Sequence, residues 1–119
     1  MGTYGPAADF IREAHNDLPD AVFLNVSFVG SQALMVELGE LSEGVIITQV
    51  VPPLDAELPA VKAYRQALET HARGSEPDFI SLEGYLAAKV FVEGVKAAGA
   101  DPDRDAIVDG LLGLGAIDI

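Results

Sequence analysis

The segment that most requires burial by other structure is ISLEGYLAAKVFVEGVKAAG, residues 80–99. Its spacing predicts a long helix with one narrow charged stripe, formed by Lys89, Glu93 and Lys96. Almost every other position is apolar, and a helix of this kind is stable only when other structure covers most of its circumference. The fold must therefore supply a wide apolar cover for this helix.

The first half of the chain alternates between helices and strands. GPAADFIREAH predicts a helix with Pro6 at its first position, because proline is tolerated where the amide would be unpaired anyway. AVFLNV at 21–26 and EGVIITQVV at 43–51 predict strands, and SQALMVELG between them predicts a short helix that ends at Gly39. This alternation is typical of α/β proteins with a parallel, doubly wound sheet.

The strand AVFLNV leads into a loop that is a candidate binding site. The strand is apolar on both faces up to Asn25, which predicts cover on both sides of the sheet. The loop offers Ser27, Phe28 and Ser31, and ligands of open α/β sheets collect beyond the carboxyl ends of strands. Free amides at the start of the next helix can receive a carboxylate. The alternative, left open by the sequence, is that Ser31 only caps that helix and Phe28 only packs.

The second half predicts helices with almost no strands of its own. AVKAYRQALETHARG and residues 80–99 are followed by DPDRDAIVDGLLGLG, where Asp101 is expected to cap the helix and Pro102 to lie in its first turn. AIDI at 116–119 is expected to begin a final strand. These elements are too few to cover the apolar helices, so part of the cover is expected to lie outside this sequence.

Composition and charge restrict the partners and the chemistry. The chain has 19 acidic and 7 basic residues and a net charge of -12, which repels nucleic acids and anionic lipids. There is no cysteine, and His15 and His71 lie near predicted helix ends, so we predict neither a metal site nor a cofactor. GSQAL lacks the pattern of a hydrolase nucleophile elbow, and no catalytic triad can be assembled from local motifs. These motifs therefore give no catalytic site.

Three segments taken in order carry a family resemblance: SFVGS, EGVIITQVVP and SLEGYLAAKVFVEG. Together they resemble the C-terminal part of periplasmic substrate-binding proteins of the branched-chain amino-acid (Leu/Ile/Val-type) ABC transporter class. The resemblance runs from about Tyr4 to Ile119 and implies the type I periplasmic binding fold, in which two α/β lobes enclose a small ligand. It implies that residues 1–50 end lobe two, and that residues 51–119 form a crossover and helices of lobe one. The chain is then expected to be a fragment of a longer protein.

The resemblance also implies a ligand site. In the family, the loop after this strand and the turn before the preceding helix face the ligand, which corresponds to Tyr4 and Ser27, with Phe28 as a neighbour. Amino-acid binders of this class often have an acidic residue at the place of Ser27, where it pairs with the ligand ammonium. A serine suits a small carboxylate, amide or aromatic ligand as well as an amino acid.

The function implied by the resemblance is solute capture in the periplasm or another extracytoplasmic compartment, with delivery to the membrane permease of an ABC transporter. The resemblance therefore implies that the protein is not an enzyme. Two alternatives are the ligand-sensing domain of a membrane signalling receptor and a small cytosolic α/β enzyme domain; a third is an interaction module that uses the acidic surface. The isolated chain is expected to expose an apolar face around residues 82–95 and to self-associate or to stay partly loose.

Overall fold

The computed structural model describes residues 2–117, and the chain divides into two compact units, one ending at Pro52 and one beginning at Pro53. Among the described residues, no helix combines the length and the apolar character needed to cross a membrane. The strand expected at AIDI extends into residues 118 and 119, which lie outside the described residues. Ala116 and Ile117 are not part of a strand.

The first unit contains two helices and two strands in alternation. Their order is α1 (Tyr4–Asp17), β1 (Leu24–Val26), α2 (Ser31–Leu38) and β2 (Ile46–Thr48). The two strands pair in parallel, with Leu24 opposite Ile46 and Val26 opposite Thr48. The predicted α/β order and parallel pairing are therefore present.

The ends of these elements differ from the predicted ones. The helix α1 begins two residues before Pro6, which the first turn accepts because its amides lack intrahelical partners. Each strand has three residues and is shorter than predicted. Among residues 2–52, each strand has one hydrogen-bonded neighbour, which is the other strand. The ladder therefore includes only the residues that lie opposite each other, and the apolar residues on either side are not part of it.

The core of the first unit lies between the two helices and one face of the strands. The buried residues are Ala8, Ile11, Val29, Leu34 and Leu38. Partly buried side chains that pack against them include Phe23 before β1 and Ile47 in β2. Arg12, late in α1, donates to the carbonyl oxygen of Glu37, late in α2, and pairs with its carboxylate at 3.2 Å. The two helices therefore lie against each other.

The opposite face of the strand pair is open. Leu24, Val26 and Ile46 point to this face, and each is about half or more exposed. The expectation that β1 is covered on both sides is therefore not met within residues 2–52, because α1 and α2 both pack on the same face.

Within residues 53–117, the second unit contains three helices, α3 (Pro59–His71), α4 (Phe79–Ala98) and α5 (Arg104–Gly113). The carboxylate of Asp78 caps α4 by accepting a hydrogen bond from the amide of Ser81 at 2.9 Å. The cap of α5 is Asp103, which accepts from the amide of Ala106 at 2.8 Å. The prediction that Asp101 caps this helix is wrong: Asp101 has a left-handed backbone, with φ of 56°, and lies two residues before the true cap.

The apolar helix α4 is covered on one side only. Leu82 and Gly94 are buried, and Gly94 faces Leu111 of α5. Ile80, Phe91 and Val92 are exposed. An exposed apolar surface is thus present on the predicted helix, although Leu82 itself belongs to the core of this unit.

Candidate functional site

The candidate site lies at the edge of the strand pair where both strands end. Ser27 follows β1 directly, and Gln49 follows β2 directly. Parallel strands bring their carboxyl ends to the same edge, which is the edge where ligands of open α/β sheets bind. Ser31, the first residue of α2, is also at this edge, and its hydroxyl accepts a hydrogen bond from the Gln49 Nε2 at 2.7 Å.

Tyr4 is brought to the same edge by the direction of the helices. It is the first residue of α1, and α1, like α2, packs on one face of the strand pair and leads into one of the two parallel strands. The N-termini of both helices therefore lie at the carboxyl edge of the strands. The Tyr4 side chain is 46% exposed and thus accessible to a ligand. Its role as a ligand contact stays a prediction.

The loop after β1 is a short 3₁₀ turn, Ser27–Val29, followed by Gly30. Val29 is buried in the core, whereas Phe28 is 65% exposed and Ser27 is half-buried. Gly30 has a φ of 82°, a left-handed conformation that glycine adopts without strain. The turn thus buries one side chain and presents Ser27 and Phe28 at the edge.

Neither part of the alternative interpretation of this loop is seen in the described residues. Phe28 does not pack in the core, because that position belongs to Val29. Ser31 does not cap α2: the capping position is Gly30, and among the described residues no side chain bonds the first amides of this helix. The hydroxyl of Ser31 is used by Gln49 instead.

Gln49 is the residue of this edge that sequence reasoning missed. The sequence pattern places it within a long strand, EGVIITQVV, whereas the ladder ends at Thr48. The available signal was an amide that interrupts an apolar run at the carboxyl end of a strand, where polar side chains face the ligand edge. Its partner Ser31 lies 18 residues earlier in the sequence.

The side chains at this edge suit hydrogen bonding and apolar contact. The five residues named at this edge include no acidic, basic or histidine side chain; they are Tyr4, Ser27, Phe28, Ser31 and Gln49. The carboxylate with a shifted pKa lies in the second unit: the hydrogen bond from Lys62, assisted by Arg65, holds the pKa of the exposed Glu57 below its usual range. Glu57 precedes α3, and Lys62 and Arg65 lie in its first half, so this cluster belongs to the second unit and not to the candidate site.

A cavity and the two histidines lie away from the candidate site. A cavity of about 240 Å³ lies beside the opposite ends of the strands and is lined by residues that precede β1 and β2, among them His15, Phe23 and Leu41. Within residues 2–117, no group of three or more histidine and carboxylate side chains is placed to hold a metal ion. His15 and His71 occupy the last turns of α1 and α3, as their positions in the sequence predict.

Comparison with known proteins gives two matches. The family model of the periplasmic binding proteins matches residues 1–118. A crystal structure of a possible leucine/isoleucine/valine-binding protein from Rhodopirellula baltica SH 1 is 40% identical, with a TM-score of 0.92. The match covers 99% of this chain and 32% of that chain, so the present chain spans about a third of the length of that protein. A comparison with the curated proteins finds no match.

The fold defined by these elements is that of a type I periplasmic binding protein, of which the chain contains helices and a small parallel sheet. The chain belongs to the periplasmic binding protein family. The family resemblance of the sequence is thereby confirmed.

Proposed function

We propose that this chain is the C-terminal part of an extracytoplasmic protein that captures a small solute between two lobes. The observation that carries the proposal is the 40% identity over 99% of the chain to a possible leucine/isoleucine/valine-binding protein. Since that family and that relative are described as binding proteins, we assign no chemical step to this chain.

Residues 1–50 are proposed to end lobe two, and residues 51–119 to form a crossover and helices of lobe one. The division into compact units between Pro52 and Pro53 supports this assignment. Each unit also exposes an apolar surface, at Leu24, Val26 and Ile46 in the first and at Ile80, Phe91 and Val92 in the second. Covering such surfaces gains about 25 cal/mol per Å². In isolation the chain is therefore expected to self-associate through them.

Tyr4, Ser27 and Phe28 are proposed to contact the solute at the carboxyl edge of the strands. The exposed Phe28 ring offers an apolar wall, and the hydroxyls of Ser27 and Tyr4 can donate or accept hydrogen bonds. The amides that begin α2 lack a side-chain cap among the described residues and can bind a carboxylate oxygen. A solute that contacts both lobes favours the closed form by its higher affinity for that form.

The solute is proposed to be an amino acid or a small carboxylate, amide or aromatic compound. The uncharged edge around Ser27 supports recognition by hydrogen bonds and apolar contact. The closed protein is proposed to deliver the solute to the membrane permease of an ABC transporter from the periplasm or another extracytoplasmic compartment.

A thermal-shift screen of the full-length protein tests this function. The screen compares L-leucine, L-isoleucine and L-valine with other amino acids, small carboxylates, amides and aromatic acids. A solute present at 100 times its Kd stabilises the folded protein by about 2.7 kcal/mol, so its class stands out as a raised Tm. The proposal fails if no compound of these classes raises the Tm.

Substitutions at the edge test the site. We expect Tyr4→Ala and Ser27→Glu to change the affinity for the solute found in that screen by more than about 1 kcal/mol, the scale of a lost hydrogen bond. Isothermal titration calorimetry measures this change in the full-length protein. The matched control is Ser75→Glu, which adds the same charge at an exposed serine between α3 and α4. Wild-type affinity in both edge variants would remove Tyr4 and Ser27 from the site.

A further inference from the structure

The hydrogen bond from Gln49 to Ser31 connects two segments that are distant in the sequence. The Gln49 Nε2 lies 2.7 Å from the Ser31 hydroxyl, and the contact is partly buried. It joins the residue that follows β2 to the first residue of α2. Both residues belong to the first unit.

Ser31 follows the turn Ser27–Val29, which carries the proposed ligand contacts, after Gly30. Val26, the last residue of β1, directly precedes this turn and is paired with Thr48 of β2. Between these two residues, the turn is held by the buried Val29 and by a hydrogen bond from the Gly30 amide to the Ser27 carbonyl at 3.1 Å. Gln49 therefore supplies a side-chain contact at the end of the turn where α2 lacks a side-chain cap among the described residues.

The Gln49 Oε1 is buried and accepts no hydrogen bond from the described residues. A buried acceptor without a donor is costly, and an apolar side chain of the same length would avoid that cost. The gain offsetting it is the hydrogen bond to Ser31.

We propose that Gln49 is a positioning residue of the ligand site. Through Ser31 it fixes the turn Ser27–Val29, and it couples this turn to the chain that leaves β2. The ligand-binding part of this proposal rests on the proposed function. The fixing of the turn is a property of the first unit and is measurable without any solute.

Amide hydrogen exchange of the full-length protein tests the fixing of the turn. Gln49→Met keeps the length of the side chain and removes the hydrogen bond. We expect the amides of residues 27–34 to exchange about tenfold faster in this variant, the factor that corresponds to about 1.4 kcal/mol. The matched control is Gln32→Met, at an exposed glutamine next to Ser31, and it should leave these rates unchanged. Equal exchange in Gln49→Met and in the wild type would overturn the proposal.

Titration with L-leucine separates the positioning role from general destabilisation. We expect Gln49→Met to weaken L-leucine binding about tenfold and to have no further effect when Ser31→Ala is already present. Additive effects of the two substitutions would mean that Gln49 does not act through Ser31. Failure of the wild type to bind L-leucine would count against that solute and leave the exchange result to decide on Gln49.

Discussion

At the scale of single residues, Tyr64 shows how the second unit satisfies a buried polar group. Its side chain is 2% exposed, so its hydroxyl is removed from water. The hydroxyl accepts a hydrogen bond from the Asp78 amide at 3.1 Å and lies 2.5 Å from the Ser81 hydroxyl. Because Asp78 also caps α4, one tyrosine in α3 holds the start of the next helix.

Removing this hydroxyl should destabilise the chain. We expect Tyr64→Phe to lower the free energy of unfolding by about 1–3 kcal/mol, because the Asp78 amide loses its partner in a buried place. Urea unfolding followed by circular dichroism measures the change. Tyr85→Phe is the matched control, since Tyr85 is a half-buried neighbour whose ring centre lies 5.7 Å from that of Tyr64. Equal stability of both variants would show that the hydroxyl network contributes nothing.

The candidate site was only partly predictable at this scale. Ser27 and Phe28 could be found because a polar loop follows an apolar strand, which is a local signal. Gln49 could not be paired with Ser31, because their contact depends on the parallel pairing of β1 with β2. The same limit applies to the cap of α5: the sequence predicts Asp101, whereas the Asp103 carboxylate makes the capping hydrogen bond and Asp101 has a left-handed backbone.

At the scale of elements, the packing of α4 against α5 depends on two glycines. A Cβ at Gly110 would lie 2.5 Å from the Gly94 carbonyl oxygen and 3.1 Å from the Ala98 amide nitrogen. A Cβ at Gly94 would overlap the Leu111 side chain. The two helix backbones therefore approach too closely for any larger residue. The helical pattern of the sequence predicted both helices but carried no signal for this contact.

Alanine substitutions at two helical glycines should have opposite effects. Alanine normally favours a helix over glycine by about 1 kcal/mol. At Gly110 we expect a net loss of stability, because overpacking costs about 1–3 kcal/mol and neighbouring backbone atoms cannot move aside. At Gly84, where a Cβ would meet no atom within 4 Å, we expect Gly84→Ala to stabilise the chain. Urea unfolding of both variants measures the signs, and stabilisation by Gly110→Ala would contradict the close approach.

At the scale of the whole molecule, the apolar surface of α4 is the feature that the sequence anticipated best. The long apolar helix indicated that cover was needed, and α4 exposes Phe91 and Val92. The strand pair adds a second open surface at Leu24 and Ile46. The sequence predicts that this surface is covered, because β1 is apolar on both faces. The pattern does not reveal which part of a protein provides the cover.

The proposed function requires that these units belong to the two lobes of one solute-binding protein. This chain spans 32% of its relative, so most of that protein lies outside the match. The net charge of -12 makes a nucleic acid an unfavourable partner, because it repels phosphate groups. A small solute is compatible with the uncharged side chains of the candidate site.

A crystal structure of the full-length protein with its solute bound is the most direct measurement. It is expected to show the solute between two lobes, in contact with Tyr4 and Ser27 at the carboxyl edge of β1 and β2, with residues 1–50 in one lobe and the helices of residues 51–119 in the other. A solute bound away from this edge, or both units within a single lobe, would contradict the account.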